Sequence, residues 1–442
     1  MILKNINNGN KIFRFAKKIW PFNRSLTGKG TEETLLFLKK VCQELKIKKE
    51  YSRKKVYDWR VPDEWNVEDA YIITPEGKQI CDFKKNNLHL VNYSIPVNCT
   101  LNFQQLSKKL HFIKEIPNAI PYRTSYYKKD WGFCISYNEF KKLKKGNYKI
   151  IINSKHTKGK LLYGEIILKG KSKKEIFFST YICHPSLANN EISGPSLLIY
   201  LSKWIKNLHN RKYSYRIVFV PETIGSIIYL NKNLDKMKKN IIAGYNVSCV
   251  GDERSISFLP SKNENTLSDR VALQVLEDLS LKYKKYTWLD RGSDERQYCS
   301  VGVELPVASV MRSKYGEYKE YHTSLDRLGR VVTPKGFQTS YEIYKKIISK
   351  LEKNIYPIAT NICEPNLGKR GLYETTGGKN NIYNKTNKKF NSRRILDILS
   401  YSDGKNSIFD IAQKCKLNFK EVKKILLFLN KKSLLKMLDL SK

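Results

Sequence analysis

Four short clusters of side chains able to do chemistry each lie beside an apolar run. The first reads Cys183-His184-Pro185-Ser186-Leu187-Ala188-Asn189-Asn190-Glu191-Ile192-Ser193-Gly194 and follows FFSTYI. It ends a strand and opens a helix, so His184 and Glu191 can converge at one edge. The second, Pro221-Glu222-Thr223-Ile224-Gly225-Ser226, follows IVFV. The third, Gly251-Asp252-Glu253, follows YNVSCV, and the fourth is Tyr321-His322-Thr323-Ser324-Leu325-Asp326. Of six histidines in the chain, two fall in these clusters. Neutral imidazole with carboxylate is the ligand set that holds a hydrolytic Zn²⁺ and keeps a position open for water. A further free carboxylate can take that water's proton. Each residue also has a plainer use: a hydrogen-bonded histidine at a strand end, Glu222 as a helix cap, Asp252 as a turn former. Cys183 beside His184 raises a Cys–His nucleophile, but neighbouring strand residues point to opposite faces.

The elements that must position these clusters are legible in the hydrophobic pattern. Residues 31 to 46 carry Leu35, Leu38, Cys42 and Leu45 at helical spacing, with Thr31 as a cap. From 54 to 142, short apolar runs broken by prolines predict an inserted β-rich lobe with aromatic hairpins at Tyr126-Tyr127 and Trp131-Gly132-Phe133. Apolar runs at 148–152, 162–168, 176–182, 215–220 and 243–250 follow. Helical stretches at 193–208, 266–282 and 335–353 are interleaved with or follow these runs, which predicts an α/β core over 143–360, with 1–53 as its N-terminal part. A crevice at the strand ends is where such a sheet places its ligand. Residues 361–391 are rich in Gly and Asn and predict a linker. Three helical segments in 392–442 predict a small winged-helix-like domain.

Composition bounds the class. The 442 residues are 41% hydrophobic and 12% aromatic, which excludes a disordered chain, and the nine cysteines form no CxxC pair. No apolar run is long enough to span a membrane and no secretory leader is apparent, so a soluble cytoplasmic protein is expected. Lys and Arg total 82 against 41 Asp and Glu, a net charge of +41. Lys, Asn, Ile and Tyr share A/T-rich codons, and the lysines are scattered instead of forming one stripe. The charge alone therefore selects no polyanionic partner.

The ordered set CHPSLANNEISG, FVPETIGS, GYNVSCVGDE, GSDERQYC and EYHTSLD resembles the zinc aminopeptidase clan. It is most similar there to a bacterial aminopeptidase-like family often associated with surface-polysaccharide gene clusters. The N-terminal IWPFNRSLTGKG, the TSYY…WGFC segment and the C-terminal domain fit the same family. The resemblance implies a three-layer zinc-aminopeptidase-like core and metal-assisted hydrolysis of an amide or peptide bond. It makes His184 and His322 ligands, places Asp252 (or Asn246) near a ligand aspartate, and makes Glu222 the general base. Two positions depart from the clan. Its bridging aspartate falls on Asn190, and its second glutamate falls on Thr223. Much of the negative charge of a two-metal site is thereby lost, so one zinc is expected sooner than two, with Glu191 as the compensating ligand. A catalytically silent site is the other outcome.

Asp294 is a candidate for receiving a substrate ammonium, against an ion pair with Arg291 or Arg296. Arg24 is a candidate for an anionic substrate group, and Tyr126 for the pocket wall, with a small peptide or amide as substrate. Two other functions fit the sequence: a nucleic-acid-binding or ligand-sensing regulator built on a degenerate hydrolase core, and an amidohydrolase acting on an N-acylated sugar. In the C-terminal domain Val422, Ile425, Leu426 and Leu429 form a buried face opposite Lys420, Lys423 and Lys424. Glu421 interrupts the basic face, and no Arg, Asn or Gln is placed there to read bases. A packing or homo-oligomer module is therefore expected ahead of a DNA reader.

Overall fold

The computed structural model describes residues 7–373 and 391–438. It divides into two compact units, residues 1–346 and 347–442. The first is organised on an eight-stranded mixed sheet in the order 46–51, 160–168, 214–220, 175–181, 241–246, 307–311, 257–259, 284–285. Its four central strands, Ser214–Val220, Glu175–Tyr181, Ile241–Asn246 and Val307–Met311, run parallel. The Glu175–Tyr181 and Ser214–Val220 strands are buried along their whole length, as near-continuous apolar runs require when both sheet faces are covered. All four therefore send their carboxyl ends to one edge, where the histidine and glutamate clusters begin.

Several boundaries differ from the pattern in the sequence. The helix predicted over 31–46 spans Lys29–Val41, and the chain then enters the Lys46–Tyr51 edge strand. The inserted lobe is a four-stranded antiparallel sheet in which Glu64–Ile73 and Val97–Asn102 both pair with Asn147–Thr157. That last strand lies beyond residue 142, so the lobe takes a run that periodicity alone assigns to the core. Trp65, Ile72, Tyr148, Ile150 and Ile152 fill its interior. Two central elements lie outside the expected set, the Val307–Met311 strand and the Ile224–Asn240 helix.

The second unit takes in the end of the Pro334–Glu352 helix and the strand Tyr356–Ala359, which pairs antiparallel with Leu435–Leu438. Helices Ser392–Ser400, Ile408–Lys414 and Phe419–Lys431 lie between the two strands in sequence. Val422, Ile425, Leu426 and Leu429 are buried, Lys420, Lys423 and Lys424 are exposed, and Glu421 is held by Arg394. Residues 374–390 of the predicted linker lie outside the described residues. Among those described, no helix is long and apolar enough to cross a membrane.

Within the sheet, Arg216 is 2% exposed and holds three strands together electrostatically. Its guanidinium donates twice to Glu175 and once to the Tyr229 hydroxyl, which in turn donates to Glu165 at 2.6 Å. Removing the cation leaves two buried carboxylates, of which Glu165 keeps Lys48 as its remaining cationic partner among the described residues. Arg216→Met should cost about 3–5 kcal/mol of stability in urea unfolding, since breaking a buried pair strands its partner.

Candidate active site

The edge where the parallel strands end collects a polar group enclosed by aromatic rings. Past the end of the Glu175–Tyr181 strand the chain turns through Ser186, whose φ is +44°, and enters a π-helical turn, Ala188–Ile192. Such single turns recur at functional sites. Asp326 builds this turn from across the site, accepting the Asn189 and Asn190 backbone N–H groups at 2.8 and 3.0 Å. The turn brings Glu191 back to His184, with Glu191 Oε2 2.7 Å from His184 Nδ1. That contact fixes the ring and leaves Nε2 facing Glu222 Oε2, 3.6 Å away.

Glu222 is presented by a tight turn. The Ile224 N–H donates to the Glu222 carbonyl at 2.8 Å, and Thr223 has φ +66° and ψ −76°. This is a γ-turn of the rare, strained hand, unusual for a β-branched residue. Asp294 holds it, accepting from the Thr223 N–H and the Ser226 hydroxyl, each at 2.7 Å. Ser293 donates to Glu222 Oε1 at 2.7 Å, which leaves Oε2 for His184. The Glu222 side chain is 22% exposed, whereas His184 is nearly enclosed.

His322 lies across the site, with ring centroids 5.5 Å apart for the two histidines. Its Nε2 is 2.9 Å from Asn190 Oδ1. The Asn190 amide nitrogen donates to the Tyr181 hydroxyl, so its oxygen faces His322 and Nε2 carries the proton. Burial and then the nearby His184 push the His322 pKa down to about 3, so the ring is neutral. Tyr122 sets its ring edge-on against both imidazoles. Tyr321 stacks on His322 at 3.9 Å.

The predicted site residues separate into those this edge gathers and those it does not. His184, Glu191, Glu222 and His322 come together. Asp252 does not join them: its carboxylate accepts from Arg254 and from the Ser313 N–H. Asn246 donates to Glu295. Asp294 is fully buried beneath the Thr223 turn, neither open to a substrate ammonium nor paired with Arg291 or Arg296. Arg24 is also fully buried, so it is not available at a surface to an anionic group. Tyr126 bonds the Tyr122 hydroxyl at 2.7 Å and so supports the ring that touches both histidines. Cys183 and His184 lie beyond the strand end, where alternation no longer separates them, and the Cys183 sulfur accepts the Glu222 N–H at 3.2 Å. Burial and the Glu191 and Glu222 charges push its thiol well above its ordinary pKa, so it is no nucleophile. Ser293 and Tyr122 escape a sequence reading, because a lone serine and an aromatic in IPYRTSYY give no spacing signal.

Zinc is the cofactor implied by the resemblance, and the donor set tests it. Among the described residues, one group of three metal-type donors lies within 4.8 Å of one another: Cys183, His184 and Glu191. Its sulfur is a protonated thiol, its nitrogen and carboxylate are joined by the 2.7 Å hydrogen bond, and the Arg24 Nε lies 3.4 Å from Glu191. The open pair, His184 Nε2 and Glu222 Oε2, has no third such donor within that spacing among the described residues. A tetrahedral zinc site needs three protein ligands besides its water. The residues present do not fit a tightly held ion, and still less two.

Comparison with known proteins supplies the context for this geometry. Residues 13–354 match the family model described as a domain of unknown function, DUF4910, and residues 354–437 match a winged helix-turn-helix model. A Clostridium acetobutylicum protein is 39% identical over 416 residues, covering 94% of this chain and 93% of its own. It carries a provisional name as a polysaccharide biosynthesis protein with an aminopeptidase-like domain. A crystal structure from the same organism, provisionally described as a peptidase, superposes with a TM-score of 0.84 at 38% identity, covering 99% of this chain and 98% of the other. A zinc aminopeptidase from Bacillus subtilis superposes at 0.58 with 12% identity over 78% of this chain and 94% of its own, which shows a shared core fold. With an aminopeptidase-like α/β core and a C-terminal winged helix, the chain belongs to the DUF4910 family.

Proposed function

We propose that the chain hydrolyses an amide-type bond with Glu222 as general base. The observation that carries this is the facing of His184 Nε2 and Glu222 Oε2 across 3.6 Å at the carboxyl edge of the parallel strands. Glu222 takes a proton from water as the water oxygen adds to the carbonyl carbon. When the C–N bond breaks, Glu222 returns that proton to the leaving amine. His184, its other nitrogen fixed by Glu191, lies beside Glu222 and can turn Nε2 toward the carbonyl oxygen. Burial disfavours its charge, but the Glu191 hydrogen bond and the Glu191 and Glu222 charges outweigh burial and raise its pKa. A proton on Nε2 can then be donated to the developing oxyanion.

A zinc ion is the alternative source of positive charge, and the incomplete donor set disfavours it. The relative's provisional name pairs polysaccharide biosynthesis with an aminopeptidase-like domain, so N-acylated sugars stand beside peptides as candidate substrates here. The exposed lysines of the Phe419–Lys431 helix are interrupted by the Arg394–Glu421 pair, which favours an assembly role for the winged-helix unit over base reading.

Glu222→Gln should lower kcat/KM by at least about 10²-fold on any amide the wild type cleaves, with the fold retained by circular dichroism. Full turnover in that variant, across peptides and N-acyl amino sugars alike, would remove Glu222 from the chemistry. Asp294 gives a second prediction. Burial and the Glu222 charge raise its pKa from 3.8 to about 8, against the Thr223 and Ser226 hydrogen bonds. A carboxyl whose folded pKa is raised contributes stability at acid pH that is lost as pH climbs through that interval. Asp294→Asn keeps an acceptor for both donors and has no charge to bury. The two proteins should therefore have similar Tm near pH 4, with the variant the more stable at pH 8. A parallel pH profile for the two would contradict this.

A further inference from the structure

We propose that Arg24 is the built-in cation of this site, occupying the electrostatic place of a metal ion, so that the chain holds His184 and Glu222 without tightly bound zinc. The proposal rests on taking the His184–Glu222 edge as the working site. Arg24 comes from the NRSLTG segment, 160 residues before His184 in sequence, yet its side chain is 0% exposed. Its Nε donates to the His184 carbonyl at 3.0 Å and lies 3.4 Å from Glu191 Oε1, and Nη1 donates to the Ile19 carbonyl. Its Nη2 is buried with no hydrogen-bond partner among the described residues. A guanidinium kept inside with one nitrogen unsatisfied is costly, and the Glu191 carboxylate is what offsets that cost.

The consequence runs along the site. Arg24 neutralises Glu191, Glu191 fixes His184, and His184 faces Glu222, so each carboxylate already has a positive or proton-donating neighbour within the protein. Asn190 fits the same scheme. Its amide donates to the Tyr181 hydroxyl and accepts from His322, so it links the two without adding a charge. Thr223 is equally committed, as the centre of the strained turn that presents Glu222. The two neutral residues noted in the sequence thus each have a place in this arrangement.

Elemental analysis of untagged full-length protein, incubated with equimolar Zn²⁺ and desalted, tests this directly. Wild type should retain below about 0.1 zinc per chain. Arg24→Gln, which leaves Glu191 without its cation, should bind Zn²⁺ or the spectroscopic probe Co²⁺ about ten-fold more tightly than wild type. About one zinc retained by wild type and lost in His184→Ala would overturn the proposal, as would an unchanged affinity in a folded Arg24→Gln. Should Arg24→Gln fail to fold by circular dichroism, the wild-type and His184→Ala stoichiometries decide alone. The readout is metal content, so loss of the Glu222 assignment in turnover assays would leave this result standing, and the reverse holds equally.

Discussion

The buried contact between Arg24 and Glu191 is the constraint on which the rest of the site depends. It fixes the segment before the Lys29–Val41 helix against the loop after the Glu175–Tyr181 strand, and it decides what charge the pocket can tolerate. A divalent ion beside His184 would be repelled by the guanidinium that already serves Glu191. Glu191, already shared with His184, cannot offset that repulsion twice. The same contact also explains why a glutamate can be fully buried here. Burial pushes its pKa up, and the His184 hydrogen bond and the His184 and Arg24 charges pull against that shift.

Around this charged centre the backbone is held in unfavourable conformations. Ser186, Thr223 and His322 all have positive φ without being glycine. Each flanks or carries a side chain of the site, and each is secured by contacts made elsewhere. The Trp20 indole donates to the Ser186 carbonyl, Asp294 takes the Thr223 N–H, and the His322 carbonyl accepts from Tyr122. Strain of this kind persists only where the surroundings over-determine it. Here those surroundings are hydrogen bonds from distant parts of the first unit, so the site is only as rigid as the fold that encloses it.

The sequence carried the sheet and the residues at its edge more clearly than their partnerships. Continuous apolar runs such as IFFSTY and IVFV mark buried parallel strands, and polar clusters after them mark the crevice, because both follow from local pattern. What Asp252, Asp294 and Arg24 do cannot be read that way. Asp252 is claimed by Arg254 two residues on, Asp294 caps a turn 71 residues away, and Arg24 meets a glutamate 167 positions along the chain. The long Asn147–Thr157 strand pairs within the lobe although its pattern points to the core, because alternation predicts a strand without saying which sheet it joins. The family resemblance supplied the fold and the order of the clusters. It also carried an expectation of zinc that the side chains around His184 do not support.

A crevice at the ends of parallel strands is a property of topology, and it survives changes in what fills it. The helices and strands that deliver His184, Glu222 and His322 to one edge do so whether or not an ion lies between them. What must change with the cofactor is the set of groups that balance charge in the enclosed volume. In this chain that set is Arg24 with Glu191, a neutral Asn190 and a neutral His322, all buried or nearly so. The +41 of the whole chain has little bearing on the pocket, because screened surface lysines act weakly over distance while a guanidinium sealed in the interior acts at close range. One buried arginine thus sets the local electrostatics that dozens of exposed lysines leave untouched.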